Sequence, residues 1–210
     1  MKYNRLIFST KNQGKLEQVR NLLIINNVEG IDIISEKDVG FLDEVIEDGK
    51  TFEENSEKKA RTLYNYCIEN NINLDNTVIF ADDSGLCIDK LDGAPGIYSA
   101  RFAGEGATDD EKREEIMNVM KEYETTEDRS ASFVTVMTGI LPNGEKIVSR
   151  GECKGSVTKE IGKTFSKLTY NPIFVPAGFE KPISEMNEEE FKLVPHHREM
   201  ALMGLIRQIL

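Results

Sequence analysis

Leu6-Ile7-Phe8-Ser9-Thr10-Lys11-Asn12-Gln13-Gly14-Lys15-Leu16 begins as an apolar run, breaks at a polar loop and leads into Leu16, Val19, Leu22 and Leu23 at helical spacing. That pattern reads as strand, loop, helix, the building unit of an α/β fold. Downstream, the spacing of Phe52, Ala60, Leu63 and Tyr64 predicts a long helix over Thr51 to Cys67, with Thr51 near its cap. Thr77 to Phe80 reads as a buried strand ended by Ala81-Asp82-Asp83-Ser84-Gly85, which leaves the two aspartates at a strand edge, and Leu86 to Ile88 as a further short strand. Gly93 to Gly96 reads as a tight turn, Ser99 to Phe102 as a helical turn, and Thr108 to Tyr123 as a helix.

The second half adds a hairpin, because Ser132 to Leu141 alternates apolar and polar residues and Pro142-Asn143-Gly144 turns the chain into Lys146 to Cys153. Pro172 to Pro176 is a short strand bracketed by prolines, and Met200 to Leu210 an amphipathic helix. Repeats and linkers are absent. The mixture predicts an α/β fold with a mixed sheet and helices packed on it, and one compact domain over residues 1–210.

Composition limits the function. With 210 residues, 39% of them hydrophobic, and a net charge of −11, the chain can build one sizeable core while its field repels nucleic-acid polymers and anionic membrane surfaces. A small anionic ligand would need a local basic pocket. Cys67, Cys87 and Cys153 are too scattered for a disulfide framework or a CxxC metal site, and no apolar run is long enough to span a bilayer. The expectation is a cytoplasmic, reduced protein.

Four segments carry candidate chemistry. Thr10, Lys11, Asn12, Gln13, Gly14 and Lys15 form a donor-rich loop at a helix start, where unpaired N–H groups and the dipole attract phosphate. A Walker P-loop is excluded, because the upstream glycine is missing and Leu16 follows the Gly-Lys pair. An ordinary capped turn remains the competing reading. Asp82 and Asp83 are adjacent carboxylates that repel one another unless a cation sits between them, and magnesium suits such hard oxygen donors; an Asx turn with exposed aspartates is the alternative. Glu47, beside Asp48-Gly49, supplies a third carboxylate or merely complements the helix dipole. Lys192-Leu193-Val194-Pro195-His196-His197-Arg198 concentrates both histidines beside an arginine that can grip phosphate or a purine carbonyl, unless these residues only cap a helix.

In this order the segments resemble the inosine triphosphate pyrophosphatase family over essentially the whole chain. Thr10, Asn12 and Lys15 match a Thr-x-Asn-x-x-Lys element; Glu47, Gly49, Thr51, Phe52 and Asn55 match Glu-x-Gly-x-Thr-Phe-x-x-Asn. Ala81 to Leu86, continued by Asp92 to Gly104, matches the family's longest recognisable block. The resemblance implies an elongated mixed sheet with flanking helices forming two lobes around a central cleft, and a magnesium-dependent hydrolase, usually a homodimer, that splits dITP, ITP or XTP into monophosphate and pyrophosphate and so cleans the nucleotide pool. It assigns the triphosphate to Thr10 through Lys15 and Lys59, magnesium to Glu47 and Asp83, and the proton from water to Asp83 with Asp82 assisting. Ser84, the loop Leu168, Thr169, Tyr170 and Asn171, and Lys192, His197 and Arg198 are implied to contact substrate.

The chain departs from the family's Gly-Gly-Phe-Gly-Tyr-Asp-Pro-Ile-Phe pattern, reading Ser166-Lys167-Leu168-Thr169-Tyr170-Asn171-Pro172-Ile173-Phe174. Leu168 replaces the aromatic that stacks on the base, Asn171 replaces a base-contacting Asp, and His196 replaces the Ser of Ser-His-Arg. Two alternatives follow: the same hydrolysis with a preference shifted to pyrimidine or modified bases, or a nucleotide-binding sensor with weak turnover.

Overall fold

The computed structural model describes residues 2–163 and 168–210. Strand β1 is Arg5–Phe8, and helix α1 follows at Gln13–Ile25. Strands β2, Asp32–Ser35, and β3, Thr77–Ile88, pair parallel with β1 on its two edges. Leu6, Ile7 and Phe8 are all buried because Leu6 and Phe8 pack into one apolar cluster and Ile7 into another on the opposite face. Helix α1 starts where Asn12 accepts the Lys15 N–H with its side chain, and it buries the expected Leu16, Val19, Leu22 and Leu23. Helix α2, Phe52–Glu69, is capped by Thr51 as expected.

The remaining elements are α3 (Asp109–Val119), β4 (Ser130–Ile140), β5 (Lys146–Val157), β6 (Phe174–Pro176), α4 (Glu188–Leu193) and α5 (His197–Ile209). The strands form one sheet in the order β2-β1-β3-β4-β5-β6. Since β1 is parallel to its neighbours and β5 pairs antiparallel with β6, the sheet is mixed, as the sequence led one to expect. β4 passes into β5 through a turn closed by the Gly144 N–H on the Leu141 carbonyl.

Several expectations need correction. The Asp-Asp-Ser-Gly segment does not end a strand: β3 runs unbroken through twelve residues, which puts both aspartates inside an interior strand. Gly85 permits this, because a Cβ there would lie 2.1 Å from the Gly96 carbonyl oxygen, so the following turn packs directly on the strand backbone. Residues 32–35 form β2 and Glu188–Leu193 form α4, neither of which stands out in the sequence. Helix α3 stops at Val119 rather than Tyr123, while α5 begins at His197 rather than Met200.

The chain divides into two compact units. The first comprises the chain up to Asp83, Thr135–Gly151 and Arg198–Leu210; the second comprises Ser84–Val134 and Glu152–His197. In the first, strand alternation sorts the core: Leu6, Phe8, Val78 and Phe80 pack with Leu16, Val19, Leu202 and Leu205, whereas Ile7 and Ile79 pack with Leu63 and Cys67. The second is built around Leu86, Ile88, Ile116, Phe133 and Phe174. Among the described residues no helix is long and apolar enough to cross a membrane.

Candidate active site

The same alternation continues past Phe80 and decides where the charges go. Asp82 falls on the face of β3 that carries α1 and α5, and Asp83 on the face that carries α2. Asp82 is buried. Its Oδ1 accepts from Lys15 Nζ at 2.9 Å and its Oδ2 from Arg198 Nε and Nη2, each at 3.3 Å. Arg198 also donates through Nη1 to Gln18 Oε1 at 2.9 Å. Burial works to raise the Asp82 carboxyl, but Lys15, Arg198 and Lys59 together overcome it and hold the group well below the usual carboxylate range. It is a fixed anion that anchors two cations.

Asp83 has the opposite surroundings. Asn55 Nδ2 donates to its Oδ2 at 2.9 Å, and the same amide accepts the Gly49 N–H at 2.8 Å. Gly49 is required here, since a Cβ would stand 2.6 Å from Asn55 Oδ1 and 2.8 Å from Glu54 Cβ. With Lys59 Nζ on Glu47 Oε2 at 2.9 Å and the Lys50 N–H on Glu54 Oε2 at 2.6 Å, the loop bearing Glu47 is tied to the first turns of α2. The spacing of Glu47, Gly49, Thr51 and Asn55 thus has a mechanical reason. In the sequence Asn55 is only a motif position, and its bridging role emerges from the geometry.

Burial pushes the Asp83 carboxyl up to about 6; Lys59 and the Asn55 amide pull it down, while Glu47 and Asp82 add to the rise. Burial acts to lower Lys59, yet Asp82, Glu47 and Asp83 outweigh it and hold the ammonium above its ordinary value. Lys15 is lowered, by burial first and then by Arg198 and Lys59, against the pull of Asp82. An ammonium in that position gains from any added phosphate charge.

The loop ahead of α1 spends part of its polar inventory on itself. Thr10 Oγ1 accepts the Asn12 N–H at 3.2 Å, and Asn12 caps Lys15, while Lys11 and Gln13 are exposed. Behind the loop, Ser9 Oγ donates to Glu36 Oε2 at 2.9 Å in a buried contact, and burial raises the Glu36 carboxyl. Glu36 does not stand out from sequence, because it lies in a charged run just past a four-residue strand.

Glu47, Lys59, Asp82, Asp83, Lys15 and Arg198 therefore interact within the first unit. The residues expected at the base belong to the second unit, apart from Arg198. There Ser84 continues β3, and Leu168 is exposed. Thr169 Oγ1 donates to Asp109, Tyr170 Oη donates to the Ser99 carbonyl at 2.6 Å, and Asn171 is buried. Lys192 is exposed and pairs with Glu188, while the His197 ring stacks on Phe133 with centroids 5.2 Å apart. Ser166 and Lys167 lie outside the described residues.

The acidic pair fits a divalent cation. Asp83 and Glu47 are hard oxygen donors, and the Glu47 charge adds to the rise of the Asp83 carboxyl, a repulsion that a cation relieves. Among the described residues no group of three or more His, Cys, Asp or Glu side chains is gathered into a cage. A cation here would complete its shell with water and phosphate oxygens, the habit of magnesium.

A model of the Ham1 family matches residues 6–208. The dITP/XTP pyrophosphatase of Clostridium perfringens (strain 13 / Type A) is 34% identical over 192 residues, which cover 91% of each chain. Among solved structures, the Staphylococcus aureus Ham1 protein superposes with a TM-score of 0.78 at 28% identity, covering 98% of both chains. The nucleoside-triphosphatase / dITP/XTP pyrophosphatase of Mycobacterium abscessus ATCC 19977 / DSM 44196 gives a TM-score of 0.74 at 31% identity, covering 98% of this chain and all of that one.

Proposed function

The chain belongs to the Ham1 family, and from that premise we propose that it is a nucleoside-triphosphate pyrophosphatase that converts dITP, ITP and XTP into monophosphate and pyrophosphate. The observation that carries the proposal is the division of labour across β3, with Asp82 anchoring Lys15 and Arg198 on one face and Asp83 held near neutrality beside Glu47 and Lys59 on the other. In the metal-free site burial makes the Asp83 carboxylate a stronger base than an ordinary one, as a group that takes a proton from water needs.

In the proposed reaction, water adds to the α-phosphorus, its proton passes to Asp83, and the bond from that phosphorus to the bridging oxygen breaks to release pyrophosphate. Lys15 and Lys59 neutralise charge on the departing group, and Arg198 adds to the positive field from its seat on Asp82. Glu47 and Asp83 would hold magnesium, which supplies Lewis-acid stabilisation of the phosphate oxygens. Thr10 through Lys15 receive the triphosphate at the start of α1.

Preference for hypoxanthine and xanthine over adenine needs a donor that rewards a 6-oxo group; the sequence offers Arg198 and His197, and since Arg198 already donates to Asp82 and Gln18, we assign the role to His197 together with the Asn171 amide. The chain is proposed to act as a cytoplasmic homodimer, in keeping with its reduced cysteines and with the family resemblance.

Pyrophosphate release from ITP, XTP, ATP, GTP and pyrimidine triphosphates, with and without magnesium and with Asp83→Asn as control, tests the reading. Release from ITP or XTP that requires both magnesium and Asp83 is expected. Turnover confined to pyrimidine nucleotides would refute the purine assignment, and no turnover of any of them would refute the enzyme.

A further inference from the structure

Arg113 stands out in the second unit as a buried charge that the proposed chemistry does not use. It lies on α3, is 4% exposed, and its Nε has no hydrogen-bond partner among the described residues. Its Nη2 donates to Asp110, a largely exposed carboxylate, and its Nη1 donates to the Thr169 carbonyl at 2.7 Å. Stability alone is a poor account of such a residue, because a buried guanidinium with an unpaired donor costs more than an aliphatic chain of the same length packed in its place.

The Thr169 contact gives it another role. Residues 168–171 form a turn closed by the Asn171 N–H on the Leu168 carbonyl. Its two middle residues are fastened from outside: Thr169 through Arg113 at its carbonyl and Asp109 at its hydroxyl, and Tyr170 through the Ser99 carbonyl. Ser99 is itself fixed, accepting the Leu86 N–H and donating to the Gly96 carbonyl. The residue that closes the turn, Asn171, is 8% exposed, and its side-chain amide makes no hydrogen bond among the described residues. Unlike Arg113 Nε, the amide nitrogen and oxygen are not sealed from solvent, so on its clamped backbone this amide is open to a polar ligand.

We propose that Arg113 is a positioning residue for base recognition: by holding the Thr169 carbonyl it sets the turn that presents the Asn171 amide to the N–H and C=O edge of a 6-oxopurine. Oδ1 accepts from the ring N–H while Nδ2 donates to the exocyclic oxygen, the two-point pairing that one amide makes with another. The inference rests on the pyrophosphatase reading and adds to it the residue that orients the base contact. Arg113 touches no substrate.

The test is steady-state kinetics with ITP on the full-length protein, comparing wild type, Arg113→Met, Arg113→Lys, Asn171→Ala and the Arg113→Met/Asn171→Ala double variant. Inhibition by pyrophosphate and thermal melting are measured alongside. Arg113→Met is expected to raise KM for ITP about tenfold, the worth of one hydrogen bond to a charged group, with kcat within about twofold and pyrophosphate inhibition unchanged. Arg113→Lys, which keeps a charged donor, should recover part of the loss even if the methionine variant folds poorly. In the Asn171→Ala background the Arg113 change should add less than about twofold, because the group it positions is already gone. An unchanged KM in both Arg113 variants, or a full additional loss in the double variant, overturns the inference. So does a loss that also moves kcat and pyrophosphate inhibition. Absence of ITP turnover in the wild type would remove the functional reading and this inference with it, whereas wild-type turnover with Arg113→Met unaffected removes this inference alone.

Discussion

Replacing Asp83 by asparagine should abolish turnover and make the metal-free protein more stable. The Asp83 carboxyl titrates at about 6 in the folded chain against an ordinary 3.8, a gap of roughly two pH units. At about 1.4 kcal/mol per pH unit, the ionised group takes about 3 kcal/mol from the folded state above pH 7. A folded-state pKa raised in this way gives stability that is fully present below about pH 4 and lost as the pH climbs through about 6. The asparagine of the Asp83→Asn variant would carry no such burden, and its amide oxygen can still accept from Asn55. Melting in EDTA should therefore show the variant about 6–12 °C above wild type at pH 7.5, at the 2–4 °C per kcal/mol usual for this chain length, with the two curves merging near pH 4. Magnesium should then lift the wild type more than the variant, since only the wild type offers both carboxylates. Equal melting temperatures at pH 7.5 in EDTA, or a difference that survives at pH 4, would refute the argument that Asp83 is a strained, metal-awaiting carboxylate.

Asp82 behaves in the reverse sense. Asp82→Asn strands Lys15 and Arg198 without their buried counter-charge and should cost about 3–5 kcal/mol in urea unfolding; a loss below about 1 kcal/mol would mean that water already satisfies the pair. Gly85→Ala thrusts a methyl group to 2.1 Å from the Gly96 carbonyl oxygen and 2.6 Å from Ser99 Oγ. Because the obstacle is partly backbone, a cost of about 1–3 kcal/mol in the same assay is expected, and an unshifted midpoint would show that the turn yields freely.

What the chain's residues disclose on reading follows how local the deciding physics is. The cap at Thr51, the apolar stripe of α1 and the turn at Pro142 to Gly144 are set by near neighbours, and the structure has them as read. The continuity of β3 is not local. Asp82-Asp83-Ser84-Gly85 has the composition of a turn, and it stays extended because cations from α1 and α5, an amide from α2 and a backbone turn at Gly96 arrive from elsewhere in the sequence to satisfy it. For the same reason the sequence showed that Asp82 and Asp83 matter together but not that they face opposite ways. Arg113 was hidden because, in an acidic and charged helix, nothing marks one arginine as the buried one.

The alternation of β3 also places that segment under a length constraint of its own. One residue inserted or deleted between Thr77 and Asp82 would turn every later side chain to the opposite face, exchanging the two carboxylates and delivering each to the other's partners. Lys15 and Arg198 would then meet the carboxylate meant for water, and Asn55 the one meant for them. Even a paired insertion, which restores the facing, would slide both carboxylates about 7 Å along the strand and out of reach of their partners, so insertions that spare the site must fall in segments such as 70–76 that carry none of these contacts.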